Sequence, residues 1–533
     1  MSSALEVSSG RCPGTMPIAL DQVGPAERSD LRNTIAVAAI TLLVLLVAFL
    51  PAFEQPGGLM DEGMILVYPE LLQHGKLPYR DFETFYGPGN PALLAGVFAA
   101  FGTNIFVERA VGLLYRVTIL LGIFVVARNG GKTLATGCTL LAGCLLLGTG
   151  MSAYAWLGAM GCAVWSLWLG GRLPSNRRSF FAGLLAGCAL LFRIDLGPAI
   201  ILSALPLLHG MTKPQRRLYS LGAALALLPL LGLTAVIGRE PVLSNLFLLP
   251  VLASNPGRHL PLFSTQPYLL NLFFAHCLAA MTTVTAGWVG LRSCPRFSGR
   301  LIFALGCFEL GLTHQAIQRL DSIHLIFAAF LSLGILPLSL FTLWSHFQHS
   351  LPEKAQAWLA IILVVAILEA IAPELTIMVR SAFAAGFRTN TSASFAELHG
   401  RSFPFHSPRM TATVDQMLKK LDSLSAPGER LFVGPADLRR TNYNDTYIYH
   451  MIPKLTPASY FLEMNPLSAN RPGSRLAADV GTADWLVLNR AWDSWDEPNH
   501  SVDYGPDAPN RVVQKQFELC GEFGGYLLFH RKG

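Results

Sequence analysis

Apolar runs long enough to cross about 30 Å of hydrocarbon recur through the first 380 residues. Such a run is stable in lipid only as a helix that closes its backbone hydrogen bonds within itself. The first, residues 35–53, contains no charged side chain. At 52% hydrophobic and 14% charged residues, the chain is too apolar for an ordinary soluble protein. The net charge of +6 does not mark a nucleic-acid groove, because the basic residues fall mainly in short loops between apolar runs. Cys138, Cys144, Cys162, Cys188, Cys277 and Cys307 lie inside those runs, Cys12 and Cys294 in basic segments, and Cys520 stands alone. No disulfide framework or zinc spacing emerges.

Arg28 and Arg32 precede the first run, which predicts a cytoplasmic N-terminus on an uncleaved signal anchor and places Asp61 outside. Arg128 and Lys132, then Arg172, Arg177 and Arg178, then Lys213, Arg216 and Arg217, then Arg292, Arg296 and Arg300 belong on the cytoplasmic side. Residues 91–102 are too short to cross and are expected as a re-entrant or interfacial helix before a second span at 106–127. Residues 134–147 and 153–170 follow as a pair. Residues 180–192 and 196–208 are two short segments hinged at the outer side on Arg193, Ile194 and Asp195. Segments 218–237, 268–291, 301–317, 325–344 and 357–379 bring the total to about eleven crossings.

The expected architecture is therefore mainly α: a cytoplasmic tail (1–33), a transmembrane helical bundle (34–380) with a large first outer loop (54–105), and an extracytoplasmic C-terminal α/β domain (381–533). In that domain Val414, Met417, Leu418 and Leu421 have helical spacing. Segments 431–433, 485–488 and 526–529 have strand character, and a helix at 471–480 precedes the second strand as in a crossover unit. No internal repeat or low-complexity tract is present.

Charge near hydrocarbon is costly unless paired, hydrated or functional, so polar groups at the outer face carry the information. Asp61 and Glu62 open a polar, aromatic, glycine-rich stretch after the first span. Arg80, Asp81 and Glu83 precede Tyr86-Gly87-Pro88-Gly89-Asn90-Pro91 on the same loop. Arg193 and Asp195 lie on the hinge, and Arg319, Asp321 and His324 lie between the ninth and tenth spans.

These features resemble the GT-C superfamily of integral-membrane glycosyltransferases, especially the bacterial branch related to protein mannosyltransferases and to aminoarabinose or lipopolysaccharide-core sugar transferases. The resemblance rests on Asp61-Glu62, on Pro78-Tyr79-Arg80-Asp81-Phe82, on Tyr86 to Pro91 before a short helix ending in Phe101-Gly102, and on the late Arg319, Asp321, His324 pattern. It implies a sugar donor on a polyprenyl phosphate, an extracytoplasmic acceptor, and a catalytic role for the first outer loop. Asp61, with Glu62, would take the proton from the acceptor hydroxyl, and direct displacement would invert the anomeric carbon. Arg193, Arg319, Arg80 and His324 are then candidates for the donor phosphate, with Asp195, Asp321, Asp81, Glu83 and Tyr86 in support. Some superfamily members carry another acid on the outer loop after the third span. Residues 148–153 have none, so a divalent cation (Mg or Mn) would rest on Asp61, Glu62 and donor phosphate.

Plainer readings compete at each position. Asp61 and Glu62 could be hydrated loop acids, though their placement favours function. Arg193 with Asp195, or Arg319 with Asp321, could be interfacial ion pairs. Arg116, inside a span, is expected to snorkel or pair. Glu309 and His314 do not share a helix face well. Trp485, Trp492 and Trp495 could stack on sugars or pack. The polar loops 441–445 and 465–472 could face the site. The competing functions are a transporter or flippase, for which repeated halves are missing, and a non-catalytic polysaccharide-assembly protein.

Overall fold

The computed structural model describes residues 25–172, 175–264, 267–293, 297–347 and 393–533, with positions 372 and 376. The expected span at 357–379 lies outside the described residues except at those two positions, as do Cys12, Cys294 and Arg296. Helix α1 (Pro25–Phe49) begins inside the tail expected at 1–33. It is followed by α2 (Asp61–Gln73), α3 (Gly89–Phe101), α4 (Ile105–Ala127), α5 (Lys132–Leu147), α6 (Ala155–Gly171), α7 (Asn176–Phe192), α8 (Gly197–His209), α9 (Lys213–Ala226), α10 (Leu228–Ile237), α11 (Pro267–Ser293), α12 (Phe297–Gln318) and α13 (Ser322–Phe347).

Among the described residues, α1, α4, α11 and α13 are long and apolar enough to cross a membrane individually, and α9 with α10 makes a fifth if the bent pair is one span. Shorter helices pack between them: α7 lies along α6 and α9, and α12 along α8 and α11. The protein is a mainly α, multi-pass membrane protein. The run at 218–237, expected as one span, is two helices bent by 45°. Pro229 stands in the first turn of α10, where it lacks the N–H that would continue the α9 ladder.

Local signals set the helix ends. Asn104 caps α4 through its side chain to Val107 N at 2.9 Å. Ser175 caps α7, and Thr212 with Gln215 forms a capping box at α9. Between α7 and α8, Arg193 takes an extended backbone (φ −142°, ψ 99°), which is the hinge expected there. At the other end of the bundle Asp30 pairs with Lys132 at 2.6 Å and Arg128 at 3.4 Å, so these charges share one face.

The C-terminal domain opens with a hairpin of β1 (Ser394–Leu398) and β2 (Arg401–Phe405). Its five-stranded sheet uses β3 (Arg430–Pro435), β4 (Thr456–Pro457), β5 (Trp485–Asn489), β6 (Phe517–Phe523) and β7 (Tyr526–Arg531) in the order β4-β3-β5-β7-β6. β3 runs parallel to β4 and β5, and β7 antiparallel to β5 and β6. Every residue of β5 is buried, as befits a strand covered on both faces. The three expected strands fall within β3, β5 and β7. The expected helix at 471–480 shortens to Leu476–Gly481.

Helix α2 was not expected. Its apolar stretch, Met64 to Tyr68, is buried between the helical bundle and the C-terminal domain. Gly63 lets the helix approach: a Cβ there would lie 2.3 Å from Tyr447 N. Glu70 at the far end of α2 binds Arg401 at 2.6 Å, and Tyr68 donates to Glu463. Asn245 and Tyr460 hydrogen-bond at 3.0 Å across the same junction.

Candidate active site

A cavity of about 600 Å³ lies at this junction, walled by the start of α2, the loop before α3, the α7–α8 hinge, the α12–α13 loop and the C-terminal domain. Asp61 enters it from the first turn of α2. Burial pushes the Asp61 carboxyl above its usual range; His324 opposes the rise, Asp321 adds to it, and Arg319 and Arg258 oppose it. The field of all four groups therefore converges on one carboxylate.

Arg193 donates to Asp195 at 2.9 and 2.5 Å, and Gln315 holds the same carboxylate at 2.8 Å. Its guanidinium lies between two aromatic faces, 4.7 Å from the Tyr86 ring centre and 5.1 Å from that of Trp156. Tyr86 itself lines the cavity. Arg319 is more heavily engaged: it donates to Asp321 at 2.8 Å, to the Arg258 carbonyl at 2.9 Å, and to Glu497 at 3.0 and 2.5 Å. Asp321 also accepts from the His324 backbone at 2.9 Å and contacts its ring at 2.9 Å. Burial pushes the Asp321 carboxyl up, but His324 and Arg319 outweigh it and hold it below the usual range.

Several expected site residues lie elsewhere. Glu62 does not line the cavity and is fully buried against Arg109, which donates to it twice at 2.7 Å. In this arrangement it is a bracing group, because its oxygens are committed to a guanidinium. Arg80 and Asp81 pair with each other at 2.8 Å on the surface and do not line the cavity. Glu83 is buried but spends its carboxylate on Ser468 and Asn465. Burial pushes it up to about 7. Asp195 does not line the cavity; it pairs with Arg193 at 2.5 Å. Arg116 does not snorkel: it is buried and donates to carbonyls of Gly112, Met151, Ser152 and Thr149.

A divalent ion does not fit the pair proposed to hold it. Both Glu62 oxygens are committed to Arg109, and among the described residues no group of three or more His, Cys, Asp or Glu side chains is placed to hold a metal.

The cavity also contains Arg258 and Glu463, which the sequence did not single out. Arg258 ends a single helical turn, Asn255–Arg258, with its guanidinium 5.1 Å from the Phe85 ring centre. Among the described residues it has no ion-pair partner. Its signal was visible, since a charge in a short segment between apolar runs is costly unless paired, hydrated or functional. Glu463, Asn465, Tyr443, Trp492 and Trp495 come from the C-terminal domain. The loops at 441–445 and 465–472 thus both reach the cavity, and Trp485 instead belongs to the sheet, its ring against His530.

No family profile matches the sequence, and no curated protein does. Among solved structures, ArnT from Cupriavidus metallidurans bound to undecaprenyl phosphate aligns over 93% of this chain and 97% of its own, with 13% identity and a TM-score of 0.55. The apo state of the same protein aligns over 94% of this chain and 98% of its own, with 14% identity and a TM-score of 0.53. At these identities the likeness is one of fold.

Proposed function

We propose that this chain, whose fold is the GT-C membrane architecture, is a glycosyltransferase that moves a sugar from a polyprenyl-phosphate donor to an extracytoplasmic acceptor. The observation that carries this reading is the convergence of Asp61 with Arg193, Arg258, Arg319 and His324 on one cavity. That ArnT binds undecaprenyl phosphate supports a lipid phosphate as the donor carrier. In this reading the N-terminus is cytoplasmic and the C-terminal domain extracytoplasmic, consistent with Asp30, Arg128 and Lys132 gathering at the opposite end of the bundle.

A sugar hydroxyl is a poor nucleophile, so a carboxylate at its proton helps as the bond to the anomeric carbon forms. Asp61 has that role, and displacement inverts the carbon. The departing lipid phosphate gains negative charge, which cations in a water-poor cavity stabilise. Arg258 leads this task because, among the described residues, no carboxylate forms an ion pair with it. Arg193, oriented by Asp195 and its two rings, and His324, oriented by Asp321, assist. Arg319 is a positioning residue: its donors already tie Asp321 and Glu497 together.

Purified protein in nanodiscs, given radiolabelled undecaprenyl-phosphoryl sugars and envelope acceptors, should transfer label. Asp61→Asn should lower kcat by roughly 10²–10⁴-fold with donor binding retained. Transfer at the wild-type rate by the variant removes Asp61 from the mechanism.

A further inference from the structure

The acidic chemistry of the cavity is not exhausted by Asp61. Glu463 is 2% exposed yet forms part of the cavity wall. Its described hydrogen-bond partners are neutral: Tyr68 donates to one oxygen and Asn465 Nδ2 to the other at 3.2 Å. Asn465 Nδ2 also reaches Glu83 at 3.3 Å, and Ser468 donates to Glu83, so the carboxylate is fixed from behind by a buried polar network. The charges of Arg193 and Arg258 reach it across the cavity, but among the described residues neither guanidinium hydrogen-bonds to it, so the carboxylate has lone pairs left to accept hydrogen bonds from a ligand.

The backbone around it is held in an unusual form. Tyr443 (φ 81°) and Met464 (φ 53°) are non-glycine residues in the left-handed region, and Tyr443 N donates to Met464 O at 3.2 Å. Strain of this kind persists only where surrounding contacts enforce it, and it accumulates at binding sites. Here it brings the Tyr443 ring and Glu463 to the same wall. Trp492 and Trp495, with ring centres 5.8 Å apart, complete that wall. Aromatic faces beside a fixed carboxylate and an amide match a sugar ring, which offers C–H faces for stacking and hydroxyl donors at its edge.

We infer that Glu463, backed by Tyr68 and Asn465 and flanked by Tyr443, Trp492 and Trp495, forms a glycosyl-recognition subsite in which the C-terminal domain selects the donor's sugar through its hydroxyls. This rests on the glycosyltransferase reading above and deepens it, separating sugar selection from phosphate anchoring by Arg258 and proton transfer by Asp61. Glu463 is a specificity-determining residue in this scheme.

The test uses the full chain in nanodiscs and native mass spectrometry, with bare undecaprenyl phosphate and a panel of undecaprenyl-phosphoryl pentoses and hexoses as probes. Wild-type protein should bind at least one sugar-bearing lipid about tenfold or more tighter than the bare lipid. Glu463→Gln should lose that increment and hold bare undecaprenyl phosphate within about twofold of wild type. An increment that survives in Glu463→Gln overturns the inference, as does a panel in which no sugar improves on bare lipid. Absence of binding by every lipid, bare or glycosylated, instead strikes the glycosyltransferase reading itself and takes the subsite with it. Should Glu463→Gln not fold, Trp495→Ala at the partly exposed rim carries the same comparison, with the same loss expected and the same retention refuting.

Discussion

Glu62 offers a sharp test of the geometry, because sequence alone makes it a catalytic partner of Asp61 and the structure makes it a brace. Its side chain is 0% exposed and that of Arg109 1%, and two charged hydrogen bonds of 2.7 Å join them. Arg109 also donates to the Phe53 carbonyl at 2.5 Å, so the pair ties the end of the α1 segment to α2 and α4. Glu62→Gln leaves a buried guanidinium without its counter-charge, and breaking a pair of this kind costs about 3–5 kcal/mol. Replacing both partners by similar-sized apolar groups removes the desolvation cost together with the attraction. Glu62→Met with Arg109→Met should therefore recover at least about 2 kcal/mol of what Glu62→Gln loses. Reversible unfolding in mixed micelles, followed by circular dichroism, measures both. Wild-type stability in Glu62→Gln combined with a selective loss of transfer would refute the bracing role and return Glu62 to the chemistry.

Arg258→Gln should weaken binding of undecaprenyl phosphate at least about tenfold, as expected for losing a charge-assisted hydrogen bond, whereas Arg80→Gln, at an exposed pair with Asp81, should stay within about twofold; native mass spectrometry of both variants decides, and the reverse ranking would restore Arg80. Burial raises Glu83 from an ordinary 4.5 to about 7, so the folded state binds the extra proton between those values. Stability should then fall by up to roughly 3 kcal/mol as pH rises from 4.5 to above 7, and Glu83→Gln, which cannot ionise, should flatten that slope in pH-dependent unfolding. Gly63→Ala puts a methyl 2.3 Å from Tyr447 N and 2.8 Å from the Thr446 carbonyl carbon; backbone cannot yield as a side chain can, so a loss of about 1–3 kcal/mol and faster tryptic cleavage of the C-terminal domain are expected.

What the sequence disclosed follows the range over which its signals act. Apolar runs and caps are local, so α1, α4, α11 and α13 and the Arg193 hinge were legible, as were the strands in β3, β5 and β7. Helix α2 was not, because Asp61 to Gln73 buries its apolar face against Tyr447–Met451, which is hundreds of residues away. The same distance hid Glu463 from any argument based on spacing, and left Trp495 undecided between stacking on a sugar and packing. Asp61, Arg193, Arg319 and His324, which share one cavity, were legible as a group because charge near hydrocarbon is costly and therefore informative. Glu62 misled for the same reason: the sequence shows that a charge exists but not that Arg109, on α4, neutralises it. Pro229 was visible, yet the run at 218–237 is predominantly apolar in its second half, so hydropathy alone did not separate a bent pair from one span.

The strand order places β7 between β5 and β6, so the sheet that presents Glu463 and Trp495 cannot close until Tyr526–Arg531 has been synthesised. A nascent chain halted earlier would insert its helices and hold Asp61 at the bilayer surface, but would have no roof over it. On the glycosyltransferase reading such a chain should be catalytically silent during its own biogenesis, and excising the C-terminal domain would yield not a minimal enzyme but an open trough.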